Sequence, residues 1–276
     1  MNKRILTVQD LSIIGQCSLG VALPIISSMG IETCALPSSV LSTHTAKPFG
    51  EFVSRDLTDD IKGINEHWQS IGATFDGILT GYIANPNQLK LIKNLIKTCL
   101  SKGAKIIIDP VMGDGGVKYS QITDKMQQEM QKFIKGADLI LPNITEAYLL
   151  TNRKYKACPL NDEIEEILKQ LHDMSGGDVI LTGVNFMPGK IGVAYYSKGE
   201  INYCFGEKVE GTYHGAGDIL ASFVAACIVK GISLKSALPE IIDFISTCIK
   251  ETNLNDHWYG INYEQNLAQF CCDLQK

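Results

Sequence analysis

The 276-residue sequence has few features that would place it in a membrane. No stretch approaches the roughly 18 consecutive apolar residues that a membrane-spanning helix needs. Residues 1–6 run directly into a strand-like segment, without the apolar core of a secretory signal peptide. We therefore expect a cytoplasmic protein with no membrane partner.

The sequence also lacks the cysteine spacing of a metal site. There are nine cysteines but no Cys-x-x-Cys pair. Only Cys271 and Cys272 are adjacent, and the other cysteines are single. This pattern is typical of reduced thiols, most of which serve as small core residues.

An excess of basic charge is absent as well. The formal net charge is −5, and the basic residues are scattered along the chain. The five lysines between Lys90 and Lys105 fall mostly on the solvent side of an amphipathic helix pattern. We therefore expect no nucleic-acid partner.

The chain shows no internal repeat, low-complexity segment or linker. Its composition is 45% hydrophobic and 20% charged, which is enough apolar material for one large core. We therefore predict a single domain that covers residues 1–276.

Strand-like and helix-like segments alternate along the chain, which is typical of an α/β sheet. Strands are predicted at 4–11, 31–42, 75–83, 104–112, 138–144 and 178–184, followed by a hairpin of 190–197 and 201–209. Helices are predicted at 19–29, 56–70, 86–102 (closed by Gly103), 123–135, 161–175, 219–230 and 234–250. The polar, aromatic tail from residue 253 is expected to pack on the surface.

The most informative stretch is residues 211–218, with the sequence GTYHGAGD. Gly215, Ala216 and Gly217 carry almost no side chain, and an apolar helix follows them. A small-residue turn at a helix start directs free backbone N–H groups outward, which favours phosphate binding. Asp218 would then take the proton from a hydroxyl group that attacks a nucleoside triphosphate. Alternatively, Asp218 is only a helix cap.

Polar and aromatic residues follow the ends of three predicted strands, where ligands bind in such sheets. Ser12 is interpreted as a ligand contact or a helix cap. Thr45, in the polar segment STHT, suits a ring substituent, whereas its neighbour His44 is either a base or structural. Tyr82 would stack on an aromatic ligand or lie half-buried at the rim of the core.

Acidic residues follow two further strands. Asp109 precedes the glycine-rich turn of residues 113–116 and Asp114 lies within it. Two neighbouring acids are unfavourable there unless a cation lies near them. Asn143 and Glu146 are three residues apart at a strand–helix junction. This pair suits a metal-bound water and a phosphate oxygen, and it equally suits plain helix capping.

Taken together, the motifs resemble the ribokinase-like superfamily and, within it, the pyridoxal (vitamin B6) kinases. The resemblance covers nearly the full length and depends on the order of six segments: DLSIIGQCSLGVALPI, STHT, TGY, DPVMGDGG, LPNITEAYLLT and HGAGD. It implies a three-layer α/β/α fold with a central, mostly parallel sheet and a small lid or hairpin. It also implies a homodimer.

The resemblance further implies ATP-dependent phosphorylation of the 5′-hydroxymethyl group of pyridoxal, pyridoxamine or pyridoxine. Asp218 would be the base and residues 215–217 the anion hole. Mg²⁺ would act with ATP, while dependence on a monovalent cation such as K⁺ stays open because Leu141 replaces a threonine of some members. The other assignments are Ser12, Thr45, Tyr82 and Tyr119 to the vitamer, Asp114, Asn143 and Thr182 to the nucleotide, and Asp109 and Glu146 to the cations.

Two alternatives compete with this hypothesis. The first is a hydroxymethylpyrimidine kinase of thiamine synthesis, a type of enzyme that shares the fold but typically carries cysteine where Asp218 stands. Asp218 and the segment STHT favour the B6 kinases. The second alternative is a non-catalytic ligand-binding protein on the same scaffold. Only Ala216, which replaces the usual threonine of the GTGD turn, points that way.

Overall fold

The computed structural model describes residues 3–45 and 49–275. The strands are β1 (Arg4–Ile14), β2 (Glu32–Thr43), β3 (Ser54–Asp56), β4 (Phe75–Thr80), β5 (Leu100–Ile108), β6 (Gly113–Asp114), β7 (Val117–Lys118), β8 (Leu139–Ile140), β9 (Asp178–Val184), β10 (Lys190–Ser197) and β11 (Glu200–Glu207). The helices are α1 (Ser18–Ser28), α2 (Thr58–Ser70), α3 (Pro86–Cys99), α4 (Asp124–Phe133), α5 (Ile144–Thr151), α6 (Asn161–Ser175), α7 (Ala216–Lys230), α8 (Leu234–Glu251) and α9 (Glu264–Leu274).

One nine-stranded sheet organises these elements, in the order β11-β10-β9-β8-β5-β4-β1-β2-β3. The six strands from β9 to β2 in this order are all parallel, whereas β3, β10 and β11 add antiparallel edges. The mostly parallel sheet and the hairpin of β10 and β11 are thus confirmed. The carboxyl ends of the parallel strands lie along one edge of the sheet.

Helices cover both faces of this sheet. Neighbouring residues on a strand point to opposite faces. Ile107 accordingly belongs to a hydrophobic cluster with α1, α7, α8 and α9, while Ile108 belongs to one with α3, α4, α5 and α6. Ile78 and Leu79 divide in the same way. The predicted three-layer α/β/α arrangement is therefore confirmed.

Several predicted boundaries are wrong. Gly103 does not close α3, which ends at Cys99, but lies inside β5 with a left-handed backbone (φ +81°). The pairing of β4 with β5 is irregular at this point, since Phe75 pairs with Leu100 and Gly77 with Lys105. The extra residues of β5 need a bend that glycine adopts readily.

The tail is the largest departure from the sequence-based prediction. Ile261 and Tyr263 are almost completely buried, and Leu267 and Cys271 of α9 join the same hydrophobic cluster as α1 and α7. The tail is therefore part of the core. In the described part of the chain, no helix has both the length and the apolar character needed to cross a bilayer.

Close packing of α7 on β4 gives a test of this arrangement. A Cβ atom at Gly77 would lie 2.6 Å from Val229 Cγ2. Gly77→Ala is expected to lower the free energy of unfolding by about 1–3 kcal/mol, because the added methyl group would overpack the core. The same change should have a smaller effect in a Val229→Ala background, as measured by urea unfolding.

Gly63→Ala is the matched control, since Gly63 lies within α2 and a Cβ there meets nothing within 4 Å. That change should stabilise the protein by up to about 1 kcal/mol. An equal effect of Gly77→Ala in both backgrounds would contradict the proposed contact.

Candidate active site

The carboxyl edge of the sheet brings most of the predicted site residues together. Ser12 lies near the end of β1, which runs to Ile14 rather than to residue 11. Asp109 directly follows β5, and its N–H donates to Thr80 at the end of β4. Asn143 follows β8 and forms an isolated parallel bridge with Thr182 of β9. This edge therefore holds the predicted contacts at the ends of β1, β5, β8 and β9.

The glycine turn before α7 has the conformation that a phosphate cradle requires. Gly215 is the N-cap and has a left-handed backbone, with φ +96°. A Cβ atom at this position would lie 2.1 Å from the Gln16 carbonyl oxygen, so only glycine fits. The helix begins at Ala216, three residues earlier than predicted, and Gly217 faces open space. The N–H groups of the first turn have no partner within a helix and are therefore available to an anion.

Asp218 lies in this first turn and is not the helix cap. The cap is Gly215, and α7 has no side-chain cap hydrogen bond. The nearby backbone N–H of Ser18 instead acts to lower the pKa of the Asp218 carboxyl group. Burial of this carboxyl group raises its pKa to about 7, and the nearby charge of Asp10 acts in the same direction. A carboxylate with a pKa near neutrality is suited to general-base catalysis.

Further acids face the same space. Burial raises the pKa of Asp109 well above its usual range, and the charges of Glu146 and Asp218 add to the effect. Burial likewise raises the pKa of the Tyr119 phenol, with contributions from Glu146, Asp114, Asp109 and Asp218. The predicted acids and Tyr119 are therefore neighbours in one site. Such a concentration of carboxylates is stabilised by a cation.

Glu146 also holds the local backbone together. Its Oε1 accepts from Met112 N–H and its Oε2 from Asn143 N–H, both at 2.9 Å. Asn143 Oδ1 accepts in turn from Glu146 N–H at 2.9 Å, which completes a capping box at the start of α5. Burial raises the pKa of Glu146 to about 8, although these N–H groups act against the shift. The capping interpretation of this pair is thus confirmed, while a role at a cation stays a prediction.

The polar atoms of Asn143 already have protein partners. Besides the capping contact, its Nδ2 donates to the Gly113 carbonyl oxygen at 2.8 Å. A contact with a phosphate would therefore use the second hydrogen of Nδ2. Among the residues that the structure describes, no group of three or more His, Cys, Asp or Glu side chains forms a metal site by itself. Phosphate oxygens would have to complete the coordination of a cation beside Asp109 and Glu146.

A cavity of about 560 Å³ opens beside the end of β1. Ser12, Gly15, Gln16 and Tyr259 are part of its lining, together with Leu11, Ile13, Ile14 and Gly20. Ser12 is buried and therefore forms a polar point in this wall. The volume is sufficient for a small aromatic ligand.

The other residues predicted to contact a ring do not line this cavity. Tyr82 is half-buried, and its hydroxyl donates to Gln121 at 3.1 Å. Thr45 is exposed and directly precedes residues 46–48, which lie outside the described part of the chain. The His44 ring packs at a tilt against the His214 ring with 4.8 Å between centroids, and burial lowers the pKa of His44 to about 4. An imidazole with this pKa is a weak base, which favours the structural interpretation of His44.

Asp10 is a residue of this edge that was not predicted from the sequence. Its carboxyl group is buried and accepts hydrogen bonds from the Ser12 and Ser18 hydroxyls at 2.8 and 2.6 Å. Its position in the sequence could have indicated this contact, because Asp10 is a charged residue within an apolar strand and lies two positions before Ser12. Residues i and i+2 of a strand share a face, and a buried carboxylate requires partners.

The sequence analysis also missed the contribution of the tail. Tyr259 O accepts from Gln16 N–H at 3.2 Å, and Ile261 N–H donates to His214 O at 3.1 Å. A Cβ atom at Gly260 would lie 2.4 Å from Gln16 Cβ. The tail thus contacts both the loop after β1 and the turn before α7. Gly260, at the end of the aromatic run HWYG, was the feature of the sequence that could have indicated this close approach of the tail to Gln16.

Comparison with known proteins agrees with this geometry. The sequence profile described as phosphomethylpyrimidine kinase matches residues 61–262. Pyridoxal kinase of Dictyostelium discoideum is 26% identical, over 92% of this chain and 87% of its own length. The structure of pyridoxal kinase from Lactobacillus plantarum is 30% identical with a TM-score of 0.89, over 98% of this chain and 97% of that one.

A Bacteroides thetaiotaomicron protein named as a phosphomethylpyrimidine kinase has been crystallised with pyridoxal. It is 34% identical with a TM-score of 0.90, and the match covers 100% of this chain and 96% of that one. The likeness to both structures confirms the ribokinase-like fold. Since the profile match spans most of the chain, this protein belongs to the phosphomethylpyrimidine kinase family.

Proposed function

We propose that the protein is a pyridoxal kinase, which transfers the γ-phosphoryl group of ATP to the 5′-hydroxymethyl group of a B6 vitamer. The observation that carries this proposal is Asp218, a half-buried residue whose desolvated carboxyl group has a pKa of about 7 beside a glycine turn at a helix start. The relatives named as pyridoxal kinases and the relative crystallised with pyridoxal support the choice of substrate.

In this proposal the Asp218 carboxylate accepts the proton of the attacking hydroxyl. The backbone N–H groups of residues 215–217 donate to the transferred phosphoryl group, whose negative charge spreads over its oxygens. Ala216 changes little here, because the donors are backbone amides. Ser12, in the wall of the cavity, contacts the ring of the vitamer, and Thr45, Tyr82 and Tyr119 complete its site; Asp114, Asn143 and Thr182 lie on the nucleotide side.

A divalent cation, which we propose is Mg²⁺, would be held by Asp109 and Glu146 together with the phosphates. Carboxylate and phosphate oxygens are its preferred ligands, and the raised pKa values of both acids fit a missing positive charge. The cation would supply charge neutralisation at the phosphates. Dependence on K⁺ stays a prediction, because Leu141 is an apolar core residue and offers only its backbone.

The remaining predictions fit this proposal without being tested. We propose one domain, since a single nine-stranded sheet contains every strand from β1 to β11 except the short β6 and β7, which pair with each other. The homodimer and the cytoplasmic location stay predictions of the sequence.

Phosphorylation of hydroxymethylpyrimidine is the second candidate function. It is favoured by the name of the matching family, and a relative named as a hydroxymethylpyrimidine/phosphomethylpyrimidine kinase, from Aquifex aeolicus, is 23% identical over 85% of the chain. The carboxylate of Asp218, at a position where that branch typically has cysteine, favours the B6 vitamers instead. A non-catalytic binding protein is disfavoured by the convergence of Asp109, Glu146 and Asp218.

Product analysis tests the proposal directly. With Mg-ATP, the protein should release ADP in the presence of pyridoxal, pyridoxamine or pyridoxine, and ³¹P NMR should show a 5′-phosphate ester. Asp218→Asn should lower turnover by about 10²-fold or more while ATP still binds, because the shape is kept and the base is lost. Turnover of hydroxymethylpyrimidine alone would establish the second candidate, and near-normal turnover by Asp218→Asn would contradict the role of this residue.

The pH dependence follows from the raised pKa of Asp218. The carboxyl group acts as a base only when it is ionised, so kcat/KM should rise with pH through a midpoint near 7 and then level off. Higher Mg²⁺ concentrations should move the midpoint to lower pH, because a cation favours the ionised form. If two different vitamers give the same midpoint, the titrating group belongs to the enzyme and not to the substrate. Activity that falls as pH rises through 7 would contradict the role of Asp218 as the base.

Glu146→Gln should separate the two roles of Glu146. An amide in place of the carboxylate leaves one backbone N–H facing an NH₂ group, which should lower the free energy of unfolding by about 1–3 kcal/mol. It should also raise the Mg²⁺ concentration for half-maximal activity. Glu163→Gln, which loses only contacts with Lys156 and Tyr148, is the control and should leave the Mg²⁺ titration unchanged. An unchanged titration for Glu146→Gln would remove Glu146 from the cation site.

A further inference from the structure

The strands β6 and β7 form a small hairpin of residues 113–118, which we call the glycine hairpin. Each strand has only two residues, and the two strands pair only with each other. Gly115 and Gly116 connect them with positive φ angles of +57° and +83°, as a tight hairpin turn requires. A two-stranded hairpin is marginally stable by itself in water. The position of the glycine hairpin therefore depends on the elements that it contacts.

The base of the glycine hairpin contacts the start of α5. The Gly113 carbonyl oxygen accepts from Asn143 Nδ2 at 2.8 Å. The N–H of Met112, one residue before the hairpin, donates to Glu146 Oε1 at 2.9 Å. The base is thus joined directly to the two residues of α5 that were predicted to contact the nucleotide and the cation.

The tip of the glycine hairpin is held by Thr145, which the proposed mechanism does not use. The Thr145 hydroxyl oxygen accepts from the N–H of Gly116 at 2.9 Å. Only 4% of Thr145 is exposed, and it lies in the first turn of α5. Because threonine is branched at Cβ, its first side-chain torsion is restricted, so the buried hydroxyl is an acceptor with a fixed position.

An aromatic ring supports the same tip. A Cβ atom at Gly116 would lie 2.5 Å from Cε1 of Tyr155, so the glycine backbone lies directly against this ring. Tyr155 packs edge-on against the ring of Tyr148, with 5.7 Å between centroids. Tyr148 is a buried residue of α5. The tip of the glycine hairpin is therefore held by a hydrogen bond and by a ring contact, and α5 supports both.

We propose that Thr145 is a positioning residue, which holds the tip of the glycine hairpin and thereby places Asp114 for the nucleotide. Asp114 lies between two anchored backbone groups, the carbonyl of Gly113 and the N–H of Gly116. Its backbone cannot move far unless one of these two contacts breaks. This inference rests on the proposed function, which assigns Asp114 to the nucleotide side of the site.

Loss of the Thr145 hydroxyl should weaken ATP binding. The N–H of Gly116, an exposed residue, would then bond to water, and the glycine hairpin would keep its position for only part of the time. The apparent affinity for ATP falls with the fraction of molecules that have the competent conformation. One hydrogen bond corresponds to a change of about three- to tenfold. At saturating ATP, kcat should change by less than about twofold, because bound ATP selects the competent conformation.

Calorimetric titration with a non-hydrolysable ATP analogue and Mg²⁺ tests the proposal on the full-length protein. Thr145→Val keeps the shape but removes the acceptor, and it should raise the Kd for the analogue by about three- to tenfold. Thr145→Ser keeps a hydroxyl and should restore most of the affinity. Thr151→Val is the matched control, because the Thr151 hydroxyl donates to the Ala147 carbonyl oxygen within α5 itself, at 2.7 Å. This control should leave the Kd unchanged.

Hydrogen exchange at the Gly116 amide separates positioning from direct binding of the nucleotide. Without the nucleotide, Thr145→Val should raise the exchange rate of this amide by about three- to tenfold, and Thr151→Val should not change it. A higher Kd with unchanged exchange would overturn the proposal, since Thr145 would then contact the nucleotide itself. Equal losses of affinity in Thr145→Val and Thr145→Ser would also overturn it.

Tyr155 gives a second test in case Thr145→Val does not fold. Tyr155→Ala removes the ring at the tip and should weaken binding of the analogue, whereas Tyr155→Phe keeps the ring and should not. Equal Kd values for these two variants would contradict the role of the glycine hairpin.

The outcome for the proposed function can be distinguished from the outcome for Thr145. Absence of vitamer phosphorylation by the unmodified protein would refute the proposed function. The titrations and the exchange rates require no turnover, so they decide the positioning role separately. An unmodified protein that does not bind the ATP analogue would refute both.

Discussion

Buried negative charge at the carboxyl edge of the sheet is the constraint on which this site depends. Burial and the charges of neighbouring acids raise the pKa values of Asp109, Glu146 and Asp218, so the protein alone does not stabilise all three as carboxylates. A bound cation would stabilise Asp109 and Glu146 as carboxylates, and Asp218 would accept a proton during the reaction. The site is thus suited to bind phosphates with their cation and then to receive one proton.

The fold holds these acids with backbone N–H groups and hydroxyls. Glu146 is fixed by the N–H groups of Met112 and Asn143, and the N–H of Ser18 lies near the Asp218 carboxyl group. Each of these donors comes from a different loop at the same edge of the sheet. The order of the parallel strands therefore determines which loops meet, and the geometry of the base depends on segments that are distant in sequence.

The sequence predicts much of this arrangement because many of its signals are local. Strong periodicity located α6, β9 and β10 at their observed bounds, and the motifs correctly placed Asp109 and Asp218 at one edge. The rest depends on tertiary contacts. Gly103 looks like a helix end until the pairing of β5 is known, and the burial of Tyr263 in the tail depends on packing against distant helices. The pairing of Asp10 with Ser12 follows from the strand pattern, whereas its contact with Ser18 depends on a left-handed conformation that no local pattern indicates.

The most direct measurement is a crystal structure with a B6 vitamer, Mg²⁺ and a non-hydrolysable ATP analogue. The 5′-hydroxyl oxygen should lie about 2.6–3.2 Å from an Asp218 carboxylate oxygen, the distance at which a base accepts a proton. The γ-phosphate should contact the N–H groups of residues 215–217. A vitamer bound with its 5′-hydroxyl away from Asp218 would contradict the central claim, that the carboxylate held at the start of α7 is the base.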